Sequence, residues 1–185
     1  MKKAFLMALL VLVALVSGFY QEKLKISINY VLDVGVKTPG FFDLSAQEKD
    51  HWVEQTRIDA SFDYYHNHET IKWLYALDQR GLSAAKWIVT GFFIVWFLFL
   101  NRIILQRLHV GEHVIRLLPR LYALLILFSL GVYVIGVSGF EPSHCYAVSR
   151  KIMGALQSVI PLLILWPASK LWSLQKNGFV YEKHD

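Results

Sequence analysis

Four apolar stretches, separated by polar and charged segments, set the pattern along this chain. They cover residues 4–20, 87–105, 117–140 and 152–172. Because an α-helix rises ~1.5 Å per residue, about 20 apolar residues are enough to cross a hydrocarbon core of ~30 Å. The pattern therefore predicts an all-α membrane protein: a four-helix transmembrane bundle with a small α+β loop between spans one and two.

The N-terminal segment, residues 1–21, combines a basic start with an uncharged apolar run. Lys2 and Lys3 precede that run, and the small residues at positions 16–18 resemble a signal-peptide cleavage site. A cleavable signal and an uncleaved signal anchor both fit this pattern, and we favour the anchor because residues 4–20 nearly cover a bilayer core. In either case the basic end stays in the cytoplasm and the next segment is exported.

The exported segment, residues 22–86, is predicted to form an extracytoplasmic α+β cap. Apolar side chains alternate with mostly polar ones along residues 24–34 and again along residues 58–64. A period of two is typical of half-buried strands, so these segments predict an antiparallel pair, with a turn at residues 38–40 between them.

Two short helices are predicted in the same cap. Ser45 and Glu48 have the spacing of a capping box, which opens a helix toward Glu54. Residues 67–80 begin with an asparagine that can cap a helix, and Gly81 is suited to end it. Two strands and two helices give only a thin core, so we expect the cap to pack on the membrane surface or on a partner.

Basic residues indicate the orientation of the remaining chain, residues 87–175, which holds spans two to four. The loop at residues 106–116 has basic flanks. The arginines at this membrane flank are Arg102, Arg107, Arg116 and Arg120. Placing this loop, the N-terminus and the tail at residues 176–185 in the cytoplasm satisfies the positive-inside rule three times, and it leaves the loop at residues 141–151 outside. We therefore expect a bacterial inner-membrane protein with both termini in the cytoplasm.

Prolines and polar residues predict irregularities in the spans. Asn101 and Arg102 lie near the end of span two, where an arginine can extend to the headgroups. Pro119 is expected in the first turn of span three, where a missing N–H group costs little. Pro161 and Pro167 fall inside span four and should bend it or interrupt its hydrogen-bond ladder.

Composition agrees with a membrane protein and argues against nucleic-acid binding. Hydrophobic residues make up 55% of the chain and the mean hydropathy is +0.40, which is too apolar for an ordinary soluble domain. The formal net charge of +5 comes from the membrane flanks, so the lipid bilayer and not nucleic acid is the expected partner. Cys145 is the only cysteine, so no intrachain disulfide is possible.

Three histidines of the cap are candidate metal ligands. His66 and His68 lie beside Glu69, and His51 is nearby in sequence. Imidazole and carboxylate groups suit zinc or copper, but a site needs three or four converging ligands. The alternative is a polar junction whose histidines face water or cap backbone groups. We favour that alternative, and no cofactor is predicted.

Two further groups have residue types that can carry chemistry. His109 and His113 would share one face of a helix and could ligate a metal or haem, although no histidine lies within an apolar span. Glu141, His144 and Cys145 combine a carboxylate, an imidazole and a thiol, but adjacent residues of a short loop rarely reach catalytic geometry. We expect non-catalytic loops at both places.

The spans are free of charge at their centres. No acidic or basic residue lies in the middle third of an apolar run, so a stand-alone pump or ion-coupled transporter is not expected. Gly154, Gln157 and Ser158 combine small side chains with an amide, which suits close helix packing and an interhelical hydrogen bond. They are expected to serve the internal bundle or, alternatively, contact with another membrane protein or a second copy of this chain.

Three hypotheses of function follow. The leading one is a non-catalytic accessory or structural subunit of a larger membrane assembly, because no catalytic set is recognisable. The second is a membrane enzyme or redox protein that uses the histidines of the cap with zinc, copper or haem. The third is an immunity or exclusion protein that binds a toxin or a competing machine through its exported loop.

Overall fold

The structure is a computed structural model, and it describes residues 2–55, 72–139 and 141–181. These residues form six α-helices and two short 3₁₀ helices, and no strand occurs among them. The α-helices are α1 Lys2–Lys37, α2 Ala46–Gln55, α3 Gln79–Arg107, α4 Glu112–Val137, α5 Pro142–Leu156 and α6 Ile160–Tyr181. The 3₁₀ helices are Phe41–Asp43 and Lys72–Ala76. The predicted helical class is confirmed for the described residues.

Several helices have the length and hydropathy needed to cross a membrane. Three qualify individually: Ala4–Lys37, Gln79–Arg107 and Glu112–Val137. The pair Pro142–Leu156 and Ile160–Leu171 qualifies jointly but is bent by 64° at a short break. The number of spans in the described chain is therefore three, or four if the bent pair forms one span.

The predicted α+β cap is wrong, because the first predicted strand lies inside a helix. Residues 24–34 belong to α1, which runs without interruption over 36 residues. Leu24, Ile28 and Val31 follow the i, i+4, i+7 spacing of one helical face, and the last two are fully buried. The segment therefore satisfies the helical period as well as the period of two, and no turn residue separates it from the apolar run before it. The second predicted strand, residues 58–64, lies outside the described residues.

Residues Val16–Phe92 form one compact unit with a core of its own. The buried core residues are Ile28, Val31, Phe41, Val53, Leu74, Tyr75 and Leu82. They come from the second half of α1, both 3₁₀ helices, α2 and the first turns of α3. The ammonium group of Lys49 is buried beside this core and donates a hydrogen bond of 3.2 Å to the carbonyl of Tyr75. The described part of the cap is thus a helical mini-domain.

The predicted capping box is confirmed at the start of α2. The amide and hydroxyl of Ser45 donate to Glu48 Oε2 over 2.8 and 2.7 Å, and the Glu48 amide donates back to Ser45 Oγ over 3.3 Å. These bonds satisfy backbone donors that the first helical turn leaves without intrahelical partners. The pKa of Glu48 is lowered because two hydrogen bonds stabilise its carboxylate, the larger effect from the Ser45 hydroxyl and the smaller from the Ser45 amide.

The helix predicted over residues 67–80 differs from the structure where the structure describes it. Residues Lys72–Ala76 form a 3₁₀ helix, and α3 starts at Gln79. Asp78 Oδ1 accepts the amide proton of Gly81 over 2.7 Å, which caps the first turn of α3. Gly81 therefore lies inside the start of one helix instead of ending another.

The second compact unit comprises Met1–Leu15 and Phe93–Asp185. One buried cluster joins the end of α3 to α4 and α5 through Leu105, Val114, Leu118 and Leu156. A second cluster includes Ala14 of α1 and three α3 residues, Phe97, Leu100 and Ile104. Apolar packing within this unit thus connects each described helix to at least one neighbour.

Three prolines of this unit test the expected irregularities. Pro167 lies inside α6, which continues past it as one helix, so the hydrogen-bond ladder is not interrupted into separate helices at that position. Pro161 follows the break between α5 and α6 and is the second residue of α6, where its missing N–H has no helical acceptor to bond; the predicted interruption is confirmed. Pro119 was expected in a first turn, but α4 begins earlier, at Glu112, so the proline lies inside the helix. Its ring there removes the bond to the carbonyl of Ile115.

Candidate functional site

A buried amide connects three parts of the spanning bundle. Asn101 of α3 is fully buried, and its Nδ2 donates to Tyr122 Oη of α4 and to the carbonyl oxygen of Ser158, both over 3.0 Å. Within the described chain, Asn101 Oδ1 is buried and accepts no hydrogen bond. Because hydrogen bonds between helices compensate for burying polar groups among apolar ones, this amide holds α3, α4 and the α5–α6 break together.

The break between α5 and α6 is organised by Ser158. Its hydroxyl donates to the carbonyl of Ala155 over 2.7 Å and accepts the amide proton of Ile160 over 3.1 Å. The first bond satisfies a carbonyl at the end of α5, and the second satisfies an amide at the start of α6. Ser158 therefore caps both helices while its own carbonyl is held by Asn101.

Small residues allow α4 and α5 to pack closely. Ser129 Oγ lies 2.8 Å from Ser149 Oγ and donates to the Ser149 carbonyl over 3.1 Å, with both residues buried. Two turns further along α4, a Cβ placed on Gly136 would lie 2.6 Å from the Cβ of Cys145. Close backbone approach at small residues is typical of helix pairs in membranes.

The residues predicted to pack helices occupy different environments. Gln157 is buried and Ser158 is half-buried, both at the α5–α6 break. Gly154 is exposed, and a Cβ built on it would meet no atom within 4 Å. The structure thus places Ser158 in the internal contacts described above and leaves the surface at Gly154 open.

The predicted metal ligands are only partly described. His51 lies exposed on α2, whereas His66 and His68 lie outside the described residues. Within the described ranges, no group of three or more His, Cys, Asp or Glu side chains is arranged to hold a metal ion. The zinc or copper site at His66 and His68 stays a prediction.

The two other histidine groups lie where helices end or begin. His109 lies in a turn after α3 and His113 lies in the first turn of α4, so the two do not share a helical face. Glu141 adopts a left-handed conformation with φ 42° at the start of α5. Its carbonyl accepts the amide protons of His144 and Cys145 over 3.1 Å each. These backbone contacts begin α5.

The end of α3 forms a Schellman motif with an unusual residue at its centre. The amide of Val110 donates to the carbonyl of Leu105 over 3.3 Å, and the amide of His109 donates to that of Gln106 over 3.2 Å. Val110 and Leu105 also belong to one buried cluster, which is the hydrophobic contact that accompanies this motif. His109 has φ 55°, the left-handed conformation that glycine adopts readily and that costs other residues about 1–2 kcal/mol.

A small cavity adjoins this helix end, and we call it the α3-end cavity. Its volume is about 300 Å³. Among the described residues, those that line it are Leu6, Met7, Gln106, Arg107 and His109. Two lining residues come from the apolar start of α1, and three from the polar end of α3. Arg107 and the other predicted flank arginines, Arg102, Arg116 and Arg120, are all exposed.

Sequence reasoning did not identify the buried amide or the α3-end cavity. Asn101 was visible as a polar residue in an apolar run, but its partners are 21 and 57 positions away in the chain. One sequence signal was present near the cavity: His109 follows the end of a helix, at a position where glycine is the usual residue. Neither feature could be found without knowing which helices meet.

Comparison with known protein families, with curated proteins and with solved structures finds no match to this chain. The class of the protein is therefore defined by its own fold. The described residues are helical, and three or four of their helical segments have the length and hydropathy to cross a membrane.

Proposed function

We propose that this chain is a small multi-pass protein of the bacterial inner membrane, acting as a non-catalytic accessory or structural subunit of a larger membrane assembly. The observation that carries the proposal is the low burial of its apolar helices. In the most apolar window of each single-helix span, 11% of α1 is buried, against 33% of α3 and 17% of α4. The apolar part of α1 thus has the largest share of surface open to lipid or to another protein.

The polar groups buried among the spans support a non-catalytic role. Asn101, Tyr122, Ser129 and Ser149 carry no formal charge at neutral pH, and they bond to one another or to backbone carbonyls. Proton relays and ion pathways depend on acidic or basic groups within the spans. The buried polar groups described here instead hold helices together, as expected of a scaffold.

The proposed topology places both termini and the α3–α4 connection in the cytoplasm. It is supported by the arginines at the end of α3 and the start of α4. A membrane-impermeant thiol reagent tests it in a Cys145→Ser background. We expect Ser143→Cys to react in intact cells and Gln106→Cys to react only after permeabilisation, since both positions are exposed. The reverse pattern would contradict the topology.

Photocrosslinking in native membranes tests the assembly. A photoreactive residue at Leu15 of α1 is compared with one at Phe99 of α3 and one at Leu127 of α4, because all three side chains are exposed, at 66%, 58% and 70%. We expect a discrete protein adduct from Leu15 and lipid adducts from the two controls. Lipid adducts alone at all three positions, together with a stable monomer in mild detergent, would refute the subunit role.

The immunity or exclusion hypothesis is a second candidate, because residues Val16–Phe92 form a compact unit with a core of their own. A deletion variant tests this hypothesis. Replacing residues 38–78 by a short linker keeps α1 and α3 whole, whereas removal of residues 22–80 would cut into both helices. If the variant no longer protects cells against a toxin or a competing machine while crosslinking at Leu15 is unchanged, binding through the exported loop is favoured.

The metal or redox alternative depends on His66 and His68. Metal analysis and an optical spectrum of the purified protein test it directly. Bound zinc, copper or haem that is lost when both residues are changed to alanine would support it. A protein without metal, and with unchanged properties after both changes, would exclude it.

A further inference from the structure

The α3-end cavity combines a polar rim with an apolar wall. Gln106, Arg107 and His109 supply an amide, a guanidinium and an imidazole, while Leu6 and Met7 supply an aliphatic surface. The volume of about 300 Å³ is at the lower end of the range for small-molecule sites. An arginine fork matches the geometry of phosphate oxygens, so the rim suits an anion and the wall suits an attached hydrocarbon.

The charges around the cavity favour an anion. No carboxylate is among the described residues that line it. Glu112 begins the next helix, α4, but it is paired with Arg116 over 2.7 Å. Arg107 forms no ion pair with any part of the chain that the structure describes, so its charge is available to a ligand.

The backbone at His109 gives an independent reason to expect a ligand. Glycine would complete the Schellman motif without strain, yet the chain has a histidine in the left-handed conformation. Strained residues of this kind occur preferentially at binding sites, where the contribution of the side chain to binding outweighs the cost of the backbone strain. The side chain of His109 is part of the cavity lining.

We propose that the α3-end cavity binds the phosphate headgroup of an anionic phospholipid, with Arg107 and His109 on the phosphate and the start of the acyl chain against Leu6 and Met7. The cavity lies where α3, a candidate span, ends, and a bilayer presents such headgroups at the ends of its spans. The proposal requires that α3 crosses a membrane, but it is independent of the accessory role.

Lipid titration of the full-length protein in detergent micelles, followed by native mass spectrometry, tests the proposal. The probes are phosphatidylglycerol, phosphatidylcholine and inorganic phosphate. We expect one phosphatidylglycerol to bind first, with affinity about tenfold lower in Arg107→Gln, since one charge-assisted pair is lost. Arg116→Gln is the matched control, because this arginine lies near the start of α4 and is paired with Glu112. This variant should retain the affinity of the unmodified chain.

Two further variants keep the test decisive if Arg107→Gln does not fold. Arg107→Lys retains the charge without the fork, and we expect an intermediate affinity. His109→Gly relieves the left-handed backbone, so it should raise the melting temperature while weakening phosphatidylglycerol binding. A purely structural role for His109 would leave lipid affinity unchanged.

Three results would overturn the proposal. Equal binding of phosphatidylcholine would show that the negative charge is not recognised. An equal loss of affinity in Arg107→Gln and Arg116→Gln would indicate a diffuse attraction to anionic surfaces instead of a site. Occupancy by inorganic phosphate that competes fully with the lipid at similar concentration would assign the cavity to a soluble anion.

Discussion

Removing the hydroxyl of Tyr122 should have opposite effects in two backgrounds. In the unmodified chain, Tyr122→Phe removes the acceptor of one Asn101 hydrogen bond while the ring, only 2% exposed, keeps its packing. Hydrogen bonds between membrane helices contribute about 0.6 kcal/mol on average and at most about 1.7 kcal/mol. We therefore expect a loss of roughly 0.6–1.7 kcal/mol in the free energy of unfolding.

In the Asn101→Leu background the same change should stabilise the protein. The buried hydroxyl then lacks the amide that it contacts in the described structure, and a buried polar group without a partner costs about 1–3 kcal/mol. Asn101→Leu itself loses two hydrogen bonds, about 1.2 kcal/mol together. It also removes Oδ1, a buried acceptor without a partner among the described residues, which offsets part of that loss.

Unfolding in mixed micelles of increasing denaturing detergent measures this double-mutant cycle. Because the two effects have opposite signs, we expect a coupling energy of roughly 1.6–4.7 kcal/mol between the two positions. Tyr20→Phe is the control, because that ring is 58% exposed and its hydroxyl should not affect stability. If Tyr122→Phe has the same effect in both backgrounds, within about 0.3 kcal/mol, the two groups are independent and the reasoning fails.

Three further changes test other contacts. Ser129→Ala should lower the free energy of unfolding by about 1 kcal/mol, because both bonds to Ser149 are lost; unchanged stability in the same detergent assay would contradict that contact. Gly136→Ala should destabilise the α4–α5 pair by about 1–3 kcal/mol through overpacking, whereas Gly131→Ala, which meets no atom within 4 Å, should not; equal effects would exclude the close approach. The pKa of Glu48 is lowered in the folded protein, so the ionised capping box stabilises α2 fully at a pH above the ordinary pKa of 4.5. This stabilisation is lost as the pH falls below 4.5 and through the pKa of the folded state. The protection factors of the α2 amides, which are corrected for the intrinsic exchange rate at each pH, should therefore decrease as the pH falls below 4.5. Glu48→Gln should reduce this pH dependence; an identical profile in the variant would refute this.

Local chemistry predicted several elements of the fold from the sequence. The apolar runs predicted the candidate spans because burial in a bilayer requires length and hydropathy, both of which are properties of a single segment. The capping box at Ser45 and Glu48 and the interruption at Pro161 were also predictable, since each depends on residues within one helical turn.

The errors occurred where two patterns coincide or where tertiary contacts decide. Ile28 and Val31 lie on one helical face within a segment that also alternates with a period of two, and the uninterrupted helix before them favours continuation. The apolar run alone predicts Pro119 in a first turn, but the polar residues before this run are also helical. The contacts of Asn101 depend on which helices are neighbours, and no local pattern contains that information.

The bend between α5 and α6 has a consequence for the mechanics of the bundle. A continuous helix resists bending through its ladder of backbone hydrogen bonds, and at this break the ladder is replaced by bonds of Ser158 and by one donated from Asn101. Part of the resistance of this joint therefore comes from a side chain of a neighbouring helix. Motion of α3 and motion of the bend should consequently be linked through this bond.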